Sequence, residues 1–262
     1  MSTVIEHFRE LYRSRVLIDS LVRREVKARY RGSVIGFFWT LLSPLMLLLV
    51  YWLVFRVFTR GVQVPNYTVF LFVGILPWQW LSSAVTGGST SIIAGGSVLS
   101  RVAIPPQVFP AVTVLSNLVN FVFALPIALV AAIAYGIYPG VGLLLLPLAI
   151  VLELAVAYGL ALIFGSLAVR FRDVQFLAQT LIMLWFFVTP IVYPLDRIPE
   201  QYRGLVLANP ATPLVLPYQE ILHGGHVPDP AHFAIAGGWA VILLGVAVYV
   251  FASMRNSFVE SL

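Results

Sequence analysis

Few residues of this chain have side chains that catalyse reactions or bind metal ions, and their spacing matches no strong motif. The only lysine, Lys27, lies in Glu-Val-Lys-Ala, whereas a nucleotide-binding P-loop needs Gly-Lys-Ser/Thr. Asp196 and Glu200 are the candidate pair of catalytic carboxylates, and His223 and His226 lack the acidic or thiol companions of a metal site. The chain has no cysteine. We therefore expect no ATP hydrolysis by this chain, no cofactor and no metal centre.

Charged residues are missing from long parts of the chain. An Asp, Lys or Arg at the centre of a membrane-spanning helix costs about 2.5–3.5 kcal/mol on insertion scales, whereas a soluble surface needs charge every few residues. Hydrophobic residues make up 60% of the sequence, and the mean hydropathy is +0.94. The composition therefore indicates an integral membrane protein. The charge-free stretches are 61–100, 102–152, 174–195 and 230–254.

The apolar stretches predict an all-α fold with six transmembrane helices. A spanning helix needs about 20 apolar residues, so six spans use most of the 262 residues. A cytoplasmic N-terminal segment, 1–34, then precedes a transmembrane domain, 35–262. We place the six spans at about 35–58, 67–86, 109–137, 141–169, 174–193 and 233–254.

Three segments beside the spans have patterns of their own. Residues 16–31 carry apolar side chains on one helical face and basic ones on the other, which is typical of an interfacial amphipathic helix. The glycine-punctuated segment 87–104 predicts a short surface helix between two loops. Residues 194–230 combine many prolines with charged residues, and we expect a pair of short helices that re-enter the membrane from one side.

The basic residues predict the orientation. With the N-terminus inside, twelve of the sixteen basic residues lie on the inner side and four on the outer side. The positive-inside rule then puts both termini in the cytoplasm. The segment 194–230 then faces outward.

Glu153 is the only charged residue deep within a predicted span. A single buried carboxylate either carries protons or serves as a structural group hydrogen-bonded between helices, and we favour the structural role. The chain thus lacks its own source of energy for transport. We expect a partner protein to supply it by docking on segment 87–104, where Ile92, Ile93, Val98 and Leu99 provide apolar contacts and Arg101 follows.

Several motifs, in the same order along nearly the whole chain, resemble those of the permeases of polysaccharide ABC exporters. They include Arg29-Tyr-Arg-Gly-Ser-Val-Ile-Gly-Phe-Phe-Trp39 with Pro44, and Gly74-Ile-Leu-Pro-Trp78. The others are Ile104-Pro-Pro-Gln-Val-Phe-Pro110, Phe171-Arg-Asp173, Thr189-Pro-Ile-Val-Tyr193 and Asn209-Pro210.

This resemblance implies a homodimer of six-span subunits in the bacterial inner (cytoplasmic) membrane. Two copies of a separate ATPase would accompany it and bind the ATP and Mg. The substrate would be a polyprenyl-diphosphate-linked polysaccharide such as an O-antigen, and nucleic acid would play no part. Segment 87–104 would correspond to the coupling helix, and 194–230 to outward-facing re-entrant helices. Two alternatives stay open: a type-2 ABC permease for a lipid or drug, and a membrane-embedded enzyme acting on lipid-linked sugars.

Two groups of residues fit contacts with such a substrate. Flat aromatic faces can stack on sugar rings without gripping any one of them, and the candidates are Phe37, Phe38, Tyr51, Trp185, Phe186 and Tyr193. Because Trp185 and Tyr193 are eight residues apart, helical spacing would put them on one face, with Phe187 rotated away. Arginine binds phosphate in a bidentate manner. The candidates for contact with the substrate's diphosphate headgroup are Arg24, Lys27, Arg29 and Arg31. Other membrane lipids are expected to contact the protein as well.

Overall fold

The computed structural model describes residues 2–31, 38–54, 64–96 and 104–261, and no β-strand occurs in these ranges. Two N-terminal helices, α1 (Ser2–Arg13) and α2 (Arg15–Tyr30), precede a bundle of long apolar helices. The other α-helices of the described residues are α3 (Trp39–Trp52), α4 (Tyr67–Ala94), α5 (Val108–Ala134), α6 (Leu146–Arg170), α7 (Val174–Val188), α8 (Glu200–Ala208), α9 (Thr212–Leu222) and α10 (Pro230–Ser261).

Four stretches are long and apolar enough to cross a membrane: α4, α5, α10 and residues 140–170, in which a 3₁₀-helix continues into α6. The apolar helix α7 has 15 residues. Within the described residues α3 has 14, and the remainder of the span predicted at 35–58 lies largely outside them. The described residues therefore form a helical bundle with the apolar helices of a membrane protein.

Helix α4 forms the centre of the bundle. Its apolar stretch is 78% buried, against 22–28% for the other three stretches. Glycines let α6 approach it closely: a Cβ on Gly88 would collide with Ala161, and a Cβ on Gly165 would lie 2.7 Å from the Gly88 carbonyl oxygen. The close approach of α4 and α6 therefore depends on these two glycines.

Helix α4 is longer than the sequence predicted. The segment from residue 87 was expected to leave the membrane as a separate surface helix, but α4 continues without a break to Ala94. Its polar residues are accommodated because the hydroxyls of Thr86, Thr90 and Ser91 donate hydrogen bonds to carbonyls one turn earlier, at 2.7, 3.1 and 2.8 Å.

Segment 194–230 contains the expected pair of short helices, α8 and α9, after a 3₁₀ turn at Leu195–Arg197. They differ in their surroundings. Helix α8 has no buried residue, whereas every residue of α9 except Glu220 is buried, against α4, α6 and α10. Thus α9 is an integral part of the bundle and α8 lies on its surface.

Candidate functional site

Aromatic side chains gather where α7 ends, and most of them hold the fold together. Trp185 and Phe186 pack edge-on against Trp78 of α4, with ring centroids 6.2 and 5.7 Å apart. The Trp185 indole donates a 2.5 Å hydrogen bond to Oδ1 of Asn209, between α8 and α9. We call Trp78, Trp185, Phe186, Tyr193 and Asn209 the Trp185 cluster. It joins α7 to α4 and to the α8–α9 pair.

The helical spacing predicted for Trp185 and Tyr193 is wrong. Helix α7 ends at Val188, because Thr189 precedes Pro190 and is extended, with φ −95° and ψ 137°. Tyr193 lies beyond this turn, and its hydroxyl donates back to the Phe187 carbonyl at 2.8 Å. The two side chains therefore do not share a face of one helix.

Exposure differs sharply among the predicted pathway aromatics. Phe186 is buried, and Trp185 and Tyr193 are half-buried. Phe187, which the spacing had placed on the wrong side, is 54% exposed, and Phe38 at the start of α3 is 69% exposed. Phe38 and Phe187 are therefore the accessible aromatics of this group. Phe37 and the side chain of Tyr51 lie outside the described residues.

A cavity of about 720 Å³ lies between α2, α4 and α5, and we call it the α2 cavity. It brings together two of the four predicted headgroup residues. Arg24 and Arg29 line it, whereas Lys27 and Arg31 are exposed outside it. The Arg29 guanidinium donates to Oδ1 of Asn117 at 2.9 Å and pairs with Glu25 at 3.3 Å. Hydroxyl-bearing residues form the opposite wall: Ser83, Thr86, Thr90 and Ser91.

The predicted docking residues do not all lie on the surface. Ile92 is fully buried, with Cδ1 near Gly165 of α6, because α4 remains inside the bundle at this point. It cannot serve as an exposed contact for a partner. Ile93 is 38% exposed on the other side of the helix. Val98, Leu99 and Arg101 lie outside the described residues.

Glu153 is completely enclosed in α6, with 1% of its surface exposed. Tyr218 of α9, a helix that packs against α6, is also fully buried. The structural role favoured for Glu153 from the sequence stays a prediction.

Helix α1 is fixed to the bundle by a polar cluster that the sequence did not reveal. His7 is buried, and its Nε2 shares a 2.8 Å hydrogen bond with the Tyr158 hydroxyl. Burial lowers the pKa of His7 to about 4, so the ring is neutral at pH 7. Glu10 accepts a 2.5 Å hydrogen bond from Gln107 and pairs with Arg255 at 3.6 Å. These residues tie α1 to α6, α10 and the segment before α5.

The candidate carboxylate pair forms no enclosed site. Asp196 and Glu200 are both exposed, and Arg203 binds the Asp196 carbonyl at 2.9 Å and approaches Glu200 at 4.0 Å. His223 Nε2 lies 2.8 Å from the Pro65 carbonyl oxygen, and His226 faces its own neighbour in the chain. Within the described ranges no group of three potential metal ligands comes together.

The sequence of the bundle matches a family of transporter membrane proteins. Residues 16–221, from α2 through α9, match the ABC-2 type transporter family. The chain belongs to this family. As an ABC-2 transporter, the chain has a role in transport rather than in catalysis.

The similarity to curated proteins extends over almost the whole chain. The O-antigen export system permease protein RfbA of Myxococcus xanthus is 42% identical over 261 residues, which are 99% of this chain and 100% of the relative. The protein of the same name in Klebsiella pneumoniae is 31% identical over 94% of this chain and 95% of its own length. The polysialic acid transport protein KpsM of Escherichia coli is 22% identical over 94% and 96%.

Proposed function

We propose that this chain is the membrane subunit of an ATP-driven exporter that moves a lipid-linked polysaccharide across the bacterial inner membrane. The observation that carries the proposal is the end-to-end similarity to relatives named for O-antigen export, the first of them 42% identical. The sequence lacks a P-loop, so the energy comes from a separate ATPase that binds ATP and Mg.

The active unit in this proposal is a homodimer with two ATPase subunits. One chain leaves apolar surface on α7, where only Ala178, Ile182 and Phe186 are buried. Its exposed apolar side chains are Phe176, Leu177, Leu181, Met183, Leu184, Phe187 and Val188. Helix α3 likewise exposes Leu49 and Val50. A second copy of the chain would cover part of these faces, and lipid the rest.

The polysaccharide pathway then lies beside the accessible aromatics. Phe38, near the inner end of the first span, and Phe187, near the outer end of the fifth, present open rings. Phe186 and Tyr193 contact Phe187 and support it. Aromatic faces attract sugar rings by dispersion without fixing any one sugar, which suits a polymer in motion. Phe37 and Tyr51 complete the proposed set.

Coupling to the ATPase occurs at the end of α4 in this proposal. Both termini and this end lie in the cytoplasm according to the basic-residue count. Ile93 is the exposed apolar residue there, and Val98, Leu99 and Arg101 follow in sequence. An aspartate at Ile93 would place an unpaired charge in the interface, which disfavours docking.

The experiment that tests the proposal measures ATP hydrolysis by the purified chain, by the ATPase subunit of the same organism, and by both together in lipid vesicles. We expect no turnover by the chain alone and a lipid-linked glycan to stimulate turnover by the complex. Turnover by the chain alone, or a complex insensitive to the glycan, would contradict the proposal. Stimulation by a simple lipid or a drug instead would favour the alternative type-2 permease.

A membrane enzyme acting on lipid-linked sugars is the less favoured alternative. Its candidate carboxylates, Asp196 and Glu200, lie exposed in a surface turn with Arg203 between them. Loss of a sugar-transfer activity on Asp196→Ala, in an assay without the ATPase, would be required to support it.

A further inference from the structure

The two walls of the α2 cavity have opposite hydrogen-bonding properties. On the α2 side, Arg24 and Arg29 offer N–H groups and positive charge. Glu25 also lines this side, so the charged lining residues carry one net positive charge. A guanidinium group only donates hydrogen bonds. This wall therefore recognises a group that accepts hydrogen bonds and carries negative charge.

The α4 wall offers hydrogen-bond acceptors, whereas the α2 wall offers donors. The hydroxyls of Thr86, Thr90 and Ser91 have already donated their hydrogens to the carbonyls of Ser82, Gly87 and Gly88. Each oxygen that lines the cavity retains lone pairs that can accept a hydrogen bond. A ligand group that donates hydrogen bonds, such as a sugar hydroxyl, fits these three oxygens.

Arg29 is held in place before any ligand arrives. Its guanidinium is bonded to Asn117 Oδ1 at 2.9 Å, and the Asn117 amide donates in turn to the Thr113 carbonyl at 2.9 Å. A guanidinium fixed in this way loses less conformational entropy on binding. The cavity, at about 720 Å³, also has the volume of a small-molecule site, which runs from about 300 to 1,000 Å³, and exceeds what a phosphate needs.

We propose that the α2 cavity binds the glycosyl-phosphate end of the transported molecule, with phosphate at Arg24 and Arg29 and the first sugar at Thr86, Thr90 and Ser91. This inference rests on the proposed function, since it names the part of the polymer that the permease recognises. It assigns no role to Lys27 and Arg31, which carry the same charge on the same segment but lie outside the cavity.

The test measures binding of a geranyl-diphosphate-linked hexose to the complete complex with its ATPase in nanodiscs. We compare the double variant Arg24→Gln, Arg29→Gln with the matched control Lys27→Gln, Arg31→Gln. Loss of charge-assisted hydrogen bonds predicts a Kd raised about tenfold or more for the cavity variant. The control should change Kd less than about threefold. Equal losses in both variants would overturn the proposal, because general surface charge would explain them.

A second variant separates the sugar from the phosphate. Thr90→Val keeps the shape of the side chain and removes the acceptor oxygen. It should weaken binding of the hexose-bearing probe about threefold to tenfold and leave binding of geranyl diphosphate unchanged. Equal effects on the two probes, or no effect on either, would contradict the sugar contact.

A phospholipid headgroup is the other source of such a phosphate. If vesicles of phosphatidylglycerol compete fully with the probe at the wild-type complex, the cavity is a general anionic-lipid site and the proposal fails. If the wild-type complex neither binds the probe nor exports glycan, the proposed function fails. If the wild type does both and the cavity variants match it, only this inference fails. Intact ATPase binding by each variant confirms its fold.

Discussion

The Trp185 cluster and the α2 cavity contain the residue types expected to contact the substrate, yet they use them differently. In the cluster, Phe186 is buried against Trp78, and the Trp185 indole is hydrogen-bonded to Asn209. These side chains therefore contact one another and leave little surface or hydrogen-bonding capacity for a substrate. In the cavity, Arg29 is oriented by its neighbours but still borders open space. Residue type alone thus indicates where a substrate could bind, whereas unused surface and hydrogen-bonding capacity distinguish a binding wall from its support.

The largest expected effect sharpens this comparison within the cluster. Phe186→Ala removes a buried ring packed on Trp78, which should lower the free energy of unfolding by about 3–5 kcal/mol. The neighbouring Phe187→Ala removes an exposed ring and should change it far less. Thermal unfolding of the two purified variants in detergent measures the difference. Similar losses would mean that Phe187 is also packed. The distinction between an exposed Phe187 available to substrate and a buried Phe186 that stabilises the fold would then be wrong.

Asn209→Ala should have the next largest effect. Asn209 accepts hydrogen bonds from the Trp185 indole and the Ala211 amide and donates to Thr189, at 2.5, 3.0 and 3.1 Å. Leaving buried partners unpaired costs about 1–3 kcal/mol. We expect a lower melting temperature and faster protease cleavage between α8 and α9. Unchanged cleavage and melting would show that Asn209 does not hold α8 and α9 together.

The apolar stretches were sufficient to predict the long helices, because lipid excludes charge over about 20 residues wherever a helix crosses. Three features of the structure were not predicted. Thr90 and Ser91 looked too polar for a span, but their own helix satisfies their hydroxyls. The end of α7 could have been predicted, since the residue before Pro190 disfavours helix. The α2 cavity depends on contacts between residues about 90 positions apart, such as Arg29 with Asn117, which no local pattern encodes.

A pH-dependent effect is expected at His7, which is a buried polar residue like Asn209 of the cluster. Its pKa of about 4 in the folded state lies below the ordinary value of 6.5, so the unfolded chain binds the proton first as pH falls. His7 therefore favours the folded state above pH 6.5, and this contribution is lost between pH 6.5 and 4. Melting temperatures of the wild type and His7→Gln should converge over this interval. The exposed His226→Gln is the control, and an identical change in pH dependence there would contradict the assignment.

Transport in vesicles tests the account's central claim most directly. The permease and its ATPase are reconstituted in vesicles with ATP and a lipid-linked polysaccharide on the same side of the membrane. A lectin placed on the other side detects the glycan that has crossed. We predict ATP-dependent crossing that needs both proteins and falls in Phe187→Ala at equal amounts of folded complex. Crossing without the ATPase, or an assembled complex that hydrolyses ATP and moves no glycan, would contradict the account.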